Sequence, residues 1–357
     1  MASGSTPIPA TVTDDLRSLI SDAGITADTD LVARILATGV GLGLDDTDRL
    51  DLKITSAALG EMRAAFRLFA PFRGIPKVTI FGSARTKPDD ALYRAASAVA
   101  AALAERGWMV VTGAGPGIMQ AAAEGAGPEQ SLGVSIRLPF EEKPNAVIAR
   151  HERSVAMKYF FTRKLMLVKE SSAFVCVPGG FGTLDEMFEL LTLQQTGKAE
   201  PTPIVLLDRP GGTFWAGLQR FVDEHLLPAG VISPGDFDRV LVTDSVDAAF
   251  AEITGFFRNY DSLRWVKNRL VLRVRVAPTP DQLAALNAQF APLVADGEIE
   301  VRGPLRAERD DDDRLDLARV VLRLNQFKVG ELHRLIRALN ALPQASDLDG
   351  RGSRREA

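Results

Sequence analysis

Hydrophobic positions along the chain follow two periods. Short continuous apolar runs at Val78–Phe81, Trp108–Thr112, Leu132–Leu138, Ala173–Val177, Pro203–Asp208 and Val240–Thr243 read as buried parallel strands. Between them the spacing lengthens to that of a helix. Asp90–Arg106 is Ala-rich and stopped by Gly107, a second helix starts at Ile118, and Ala149–Glu170 reads as largely helical. From Thr183 an apolar stripe of Leu184, Met187, Phe188 and Leu191 runs toward a stop at Gly197. Phe214–Leu227 and Asp247–Tyr260 complete the series. Strands alternating with helices predict a parallel sheet covered on both faces. Right-handed crossovers with one reversal make it a doubly wound, Rossmann-like α/β sheet of order 3-2-1-4-5-6.

The flanks follow other patterns. Residues 1–12 are small, polar and Pro-containing, and are expected to be disordered. Residues 13–75 form an N-terminal helical segment. Its best stripe is Ile54, Ala57, Ala58, Met62, Ala65, Phe66 and Phe69, with Arg63 and Arg67 one turn apart on a solvated face. The sheet domain spans 76–260. A linker at Asp261–Lys267 leads to a small C-terminal α+β module over 268–345, with strands at Leu270–Val276, Glu298–Arg302 and Asp316–Leu324. Its helices are Pro280–Leu293 and Val329–Leu342. The run Glu308-Arg309-Asp310-Asp311-Asp312-Asp313 reads as a solvated loop, and 346–357 as a disordered tail.

Three of the strands end in glycine. Gly82-Ser83 follows the first, Gly113-Ala114-Gly115-Pro116-Gly117 the second, and Pro178-Gly179-Gly180-Phe181-Gly182 the fourth. A glycine turn between a strand and a helix start is an anion site, because free N–H groups and the helix dipole converge there with no Cβ in the way. Ligands of such sheets sit beyond the carboxyl ends of the strands, where the order reverses. A phosphate is the expected guest. Thr183-x-x-Glu186 fits a capping box equally well, in which both side chains only satisfy helix-end N–H groups. The second loop is a poor dinucleotide fingerprint: its spacing is G-x-G-x-G with a proline inside, and no clear acidic residue ends the next strand to hold a ribose. Arg163-Lys164 lies on the helix before the fourth strand, and reaches the ligand edge only if that helix starts or bends nearby.

Composition narrows the classes. The 357 residues carry a net charge of −4, with 46% hydrophobic and 25% charged residues, ordinary for a globular protein and too acidic for a general nucleic-acid binder. The single cysteine, Cys176, lies in a predicted strand and forms no intrachain disulfide, which fits a reducing, cytoplasmic setting. His151, His225 and His333 lack ligand spacing, so no metal site is expected. No apolar run reaches membrane-spanning length, and the N-terminus lacks signal-peptide character.

The run Pro178-Gly179-Gly180-Phe181-Gly182-Thr183-Leu184-Asp185-Glu186, with Arg163-Lys164 upstream, resembles the Lonely Guy family of nucleoside-monophosphate phosphoribohydrolases over about 77–257. The resemblance implies hydrolysis of the N-glycosidic bond of AMP or a cytokinin ribotide, giving free base and ribose 5-phosphate, without metal or organic cofactor. It implies Glu186 and Arg163 as the catalytic pair. By the same token Gly82, Ser83, Gly113, Gly115, Gly117, Met119, Lys164, Gly179, Gly180, Phe181, Gly182, Thr183 and Thr192 become substrate and phosphate contacts. It also implies a homodimer or higher homo-oligomer with its site near the interface. The family carries an older lysine decarboxylase label, which the motifs here, with no evident pyridoxal site, do not support. Phe160-Phe161-Thr162 stands where short members carry Met-His-x, so the base preference is left open, as is the role of the flanking segments. Two rivals from other classes are a non-catalytic nucleotide or molybdenum-cofactor carrier and a signalling-nucleotide sensor whose receptor is the C-terminal module.

Overall fold

A computed structural model of the chain describes residues 6–137, 145–149, 153–325, 328–346 and 348. The chain divides into two compact units, Met1–Arg63 and Ala64–Ala357. In the first, helices α1 (Ala10–Asp22) and α2 (Thr29–Leu44) pack on each other, and α3 (Arg49–Phe69) starts there and continues into the second. The expected disorder at 1–12 is corrected at its end, because α1 already begins at Ala10. Pro9 supplies a fixed φ just ahead of the first turn, where no N–H partner is needed.

The second unit is built on a seven-stranded parallel sheet. In chain order it runs β1 (Lys77–Phe81), α4 (Ala91–Glu105), β2 (Met109–Thr112), α5 (Ile118–Ala126), β3 (Ser131–Ile136), α6 (Ala146–Ala149), β4 (Ser154–Met157) and α7 (Phe160–Lys169). It continues with β5 (Ala173–Cys176), α8 (Phe181–Gln195), β6 (Ile204–Leu207), α9 (Phe214–Phe221), β7 (Val240–Thr243) and α10 (Val246–Phe256). The spatial order is β4-β3-β2-β1-β5-β6-β7. The six expected strands therefore stand in the order 3-2-1-4-5-6. Strands β1, β2, β5 and β6 are buried along their whole length, which is why they read as unbroken apolar runs.

The seventh strand corrects the reading of Ala149–Glu170 as largely helical. Ser154–Met157 pairs in parallel with Gly133–Ile136, and only then does α7 begin. As a four-residue edge strand with only Met157 buried, β4 has no apolar run to announce it.

The tail forms a four-stranded antiparallel sheet. It comprises β8 (Tyr260–Val266), β9 (Arg269–Val274), α11 (Pro280–Gln289), β10 (Glu300–Arg302), α12 (Arg306–Asp310), β11 (Ala318–Leu322) and α13 (Val329–Asn340), with strand order β10-β11-β9-β8. The expected linker at Asp261–Lys267 is mostly strand: β8 pairs with β9 along its length. Its polar look comes from Asp261 and Arg264, both held in ion pairs with other parts of the module. The solvated loop expected at 308–313 is also corrected. Glu308 lies on α12, fully buried, and Asp313 binds Arg264 and Arg273.

One hydrophobic core runs through this unit, from Val78, Ile80 and Val110 under the sheet to Phe257, Leu272 and Leu335 in the tail. Asn340 fastens the join: its Oδ1 accepts from the N–H groups of Asn259 and Tyr260 at 2.9 and 2.8 Å. Burying that polar turn is tolerable because its donors are satisfied. Most of the expected tail at 346–357 lies outside the described residues.

Candidate active site

The carboxyl ends of β1, β2 and β5 bring the three glycine turns together. The Ile118 N–H donates to the Ser83 carbonyl at 3.0 Å, which ties the second loop to the first. Gly117 has φ +67°, and a Cβ there would lie 2.3 Å from the same carbonyl, so only glycine fits. On the other side, a Cβ on Gly179 would meet the Thr183 Oγ1 at 2.2 Å and the Ser83 nitrogen at 3.0 Å. Gly82 is closed in the same way, by Ile118. Gly180 and Gly182 differ: a Cβ on either would meet nothing within 4 Å. Phe181 between them is 92% exposed.

Helix α8 opens at Phe181 rather than at Thr183. Its N-cap is Gly180, which supplies no side chain, and the Thr183 N–H donates to the Gly180 carbonyl at 3.0 Å. Thr183 is therefore inside the first turn and buried, and the capping box does not form. The backbone donors of that turn are left without a side-chain cap, on the end of the helix that favours an anion.

Glu186 lies one turn in. It is 5% exposed, and its Oε2 is buried with no hydrogen-bond partner. Burial pushes its pKa up to about 7, although the charges of Lys164 and Arg163 pull the other way; the carboxylates of Glu189 and Asp185 add to the rise. A carboxyl group poised at neutrality can exchange a proton or face a developing cation.

Arg163 reaches this place because β4 ends at Met157 and α7 starts at Phe160, so Arg163 falls in the first turn, over the ligand edge. Its Nε donates to the Val134 carbonyl at 2.9 Å. Its guanidinium lies against Gly113, where a Cβ would meet Nη2 at 2.1 Å. Burial lowers its pKa while Glu186 opposes that shift. Met119 covers the same loop, its sulfur 2.7 Å from where a Cβ on Gly113 would stand and its methyl 2.7 Å from where one on Gly115 would.

Two of the expected site residues have other partners, although the charge of Lys164 still reaches Glu186. Lys164 forms ion pairs with Asp185 at 2.8 Å and Glu189 at 2.7 Å, clamping α7 to α8. Thr192 is exposed further along α8, where its hydroxyl donates to the Phe188 carbonyl at 2.8 Å. It lines an outer groove with Phe161, Leu165 and Phe188, away from the glycine turns.

One residue of the site went unread in the sequence. Asn145 donates from its N–H to the Ala114 carbonyl at 2.8 Å and from Nδ2 to the Gly115 carbonyl at 3.1 Å, while its Oδ1 caps α6 through the Ile148 N–H at 3.2 Å. It holds a loop in which buried Ala114 adopts φ +60°, an unfavourable state for a residue with a Cβ. An asparagine immediately before Ala-Val-Ile-Ala is a capping signal that could have marked it. Cys176 is buried beneath the site, and burial pushes its thiol pKa up, away from a reactive thiolate.

Among the described residues no cluster of three or more His, Cys, Asp or Glu could hold a metal ion, and no helix is long and apolar enough to cross a membrane. A family model described as "possible lysine decarboxylase" matches residues 117–253. The chain is 34% identical over 164 residues to a cytokinin riboside 5′-monophosphate phosphoribohydrolase of Mycobacterium tuberculosis, covering 44% of this chain and 83% of that protein. It is 33% identical over 173 residues to the same-named protein of Mycobacterium marinum, covering 47% of this chain and 87% of that one. A solved molybdenum cofactor binding protein from Rippkaea orientalis matches 49% of this chain and 93% of its own, at 21% identity and TM-score 0.35, too distant to bear on function.

Proposed function

The chain belongs to the Lonely Guy family, whose relatives are named cytokinin riboside 5′-monophosphate phosphoribohydrolases, and on that premise we propose that it hydrolyses purine nucleoside 5′-monophosphates. The substrate is AMP or a cytokinin ribotide, and the products are free base and ribose 5-phosphate. The observation that carries this reading is Glu186: a buried carboxyl group with an unpartnered oxygen, one turn into a helix that opens on uncapped glycine N–H groups.

The 5′-phosphate rests on the amino end of α8, where Gly180 and Gly182 leave room for close approach. Its binding energy orients the ribose against Glu186. As the bond from C1′ to the base lengthens, its electron pair leaves with the base and positive charge grows on the ribose, as in glycoside hydrolysis. The Glu186 carboxylate stabilises that charge and takes a proton from the water that adds to C1′. The departing base takes a proton from solvent on the nitrogen that held the sugar, and Glu186 returns the proton it took to solvent, which closes the balance of one water consumed. Arg163, anchored on Val134, holds the phosphate or the carboxylate in place.

Pairing of two copies through the outer face of α7 and α8 belongs to the same proposal. Exposed Phe160, Phe161, Leu165 and Phe188 on that face support it. Sedimentation at working concentration is expected to give a dimer or larger, and a monomeric mass would contradict this part.

Chromatography of AMP, cytokinin ribotides, GMP and CMP after incubation tests the reaction itself. Free adenine or cytokinin base is the expected product. No release from any of the four would remove the proposal.

A further inference from the structure

Glu186 is flanked on α8 by two further carboxylates. Asp185 and Glu189 lie four residues apart, so they share one face of the helix, and Glu186 lies on the next. Like charges at that spacing repel each other. Lys164 reaches across from α7 and answers both, its Nζ 2.8 Å from Asp185 Oδ2 and 2.7 Å from Glu189 Oε2. The lysine side chain is 15% exposed, against 60% for Asp185 and 34% for Glu189, so the cation is the inner member of the cluster. Burial works against its charge, but Asp185, Glu189 and Glu186 outweigh burial and hold its pKa above the ordinary lysine value. Lys164 therefore stays charged through neutral pH.

The two neighbouring cations of α7 have different attachments. Arg163 is anchored on the Val134 carbonyl and lies against Gly113, on the loop side of the site. Lys164 is held on α8, beside Glu186 but without a hydrogen bond to its Oε2, which has no partner among the described residues. The charged groups that act on Glu186 most strongly are Lys164 and Arg163 from α7, and Glu189 and Asp185 from α8. Of the two cations, Lys164 has the larger pull. Beneath them on β5, burial keeps the Cys176 thiol protonated and uncharged.

We propose that Lys164 is a positioning residue rather than a phosphate contact: held between Asp185 and Glu189, it fixes the charge of Glu186 from the neighbouring helix face, a role that rests on Glu186 being the working carboxyl of the proposed hydrolysis. Without Lys164, Glu186 stands beside two uncompensated anions and keeps its proton to higher pH. Without Glu189, one anion fewer opposes its ionisation, and the proton leaves at lower pH. A phosphate contact behaves differently, because its loss weakens substrate binding and leaves the titration of Glu186 where it was.

Two readouts test this. One is the pH dependence of kcat/KM for AMP. The other, independent of turnover, is the carbon-13 titration of the Glu186 carboxyl in glutamate-labelled full-length protein, assigned by its loss in Glu186→Gln. Lys164→Met is expected to raise both midpoints by about one pH unit, with KM at pH 9 within threefold of the parent. Lys164→Arg is expected to restore the parent midpoints, which separates lost charge from lost packing. Glu189→Gln, which leaves Lys164 its pair with Asp185, is expected to lower both midpoints. Unmoved midpoints in Lys164→Met would overturn the assignment, as would a tenfold rise in KM with the midpoints unmoved. So would midpoints that move the same way in Lys164→Met and Glu189→Gln. Should Lys164→Met fail to fold, midpoints that do not fall in Glu189→Gln overturn it alone. Absence of any AMP turnover would remove the hydrolysis, while the carboxyl titration still decides whether Lys164 governs Glu186.

Discussion

Two buried glutamates in this chain have opposite surroundings. Glu308, in the tail module, is fully buried and fully paired. Its Oε1 accepts from Arg273 Nε at 3.0 Å, and its Oε2 accepts from the Leu305 N–H at 3.0 Å; Arg319 lies 3.4 Å away. Burial alone would raise its pKa, but these donors outweigh it and hold the group below the ordinary carboxylate range. Glu186 is buried to nearly the same degree, but one of its oxygens has no partner and its pKa is about 7. Both carboxyl groups are desolvated; only Glu308 is fully compensated. A folded chain that leaves one buried carboxyl unpaired holds it in a state suited to chemistry rather than to stability.

The comparison predicts which changes hurt activity and which hurt the fold. Apart from Glu186 itself, the largest expected loss is in Arg163→Ala, which takes the cation from beside Glu186 and Gly113. Base release from AMP should fall roughly a hundredfold or more. Arg163→Lys should rescue little, because a lysine cannot reproduce the anchored guanidinium. Activity within threefold of the parent in either variant would break the site half of the comparison.

Glu308→Gln comes next. It leaves Arg273 and Arg319 buried beside a neutral group, and is expected to cost about 3–5 kcal/mol by urea unfolding. The activity of the folded fraction should be unchanged. A stable variant, or one with normal stability and no activity, would show that the two glutamates are not the opposites described here.

A smaller effect concerns pH. With the Glu186 pKa raised to about 7, kcat/KM should climb with a midpoint near pH 7 if the ionised carboxylate is the working form. A rate that instead falls across the same range would reassign Glu186 as an acid. The smallest expected effect is in Asn145→Ala, which removes the cap of α6 and the tie to Gly115, for about 1 kcal/mol of stability. The substrate KM should rise as the second loop loosens, and an unaltered KM would detach Asn145 from the site.

The central strands and the glycine turns were legible because buried parallel strands leave apolar runs and their turns demand glycine. The edges were not. β4 is short with one buried residue, and β8 carries Asp261 and Arg264, which hide it although it pairs with the adjacent β9. The place of Arg163 depended on β4, so it could not be read from α7 alone. Glu308 sits in an acidic run that looks solvent-facing, and only the fold brings Arg273 and Arg319 to it. Thr183-x-x-Glu186 fitted a cap and a site equally well. The choice rests on where α8 starts, two residues earlier than its apolar stripe suggests.

Glu186→Gln, assayed for both base release and thermal unfolding, tests the central claim most directly. A carboxyl moved from its ordinary 4.5 to about 7 weakens the fold, by on the order of 3 kcal/mol above pH 7. Its native pKa is the higher one, so the cost is absent below pH 4.5 and grows as pH rises to 7. The variant is expected to melt above the parent at pH 8, to match it at pH 4, and to release no base from AMP. Base release at the parent rate, or a melting point lowered at pH 8, would contradict the account.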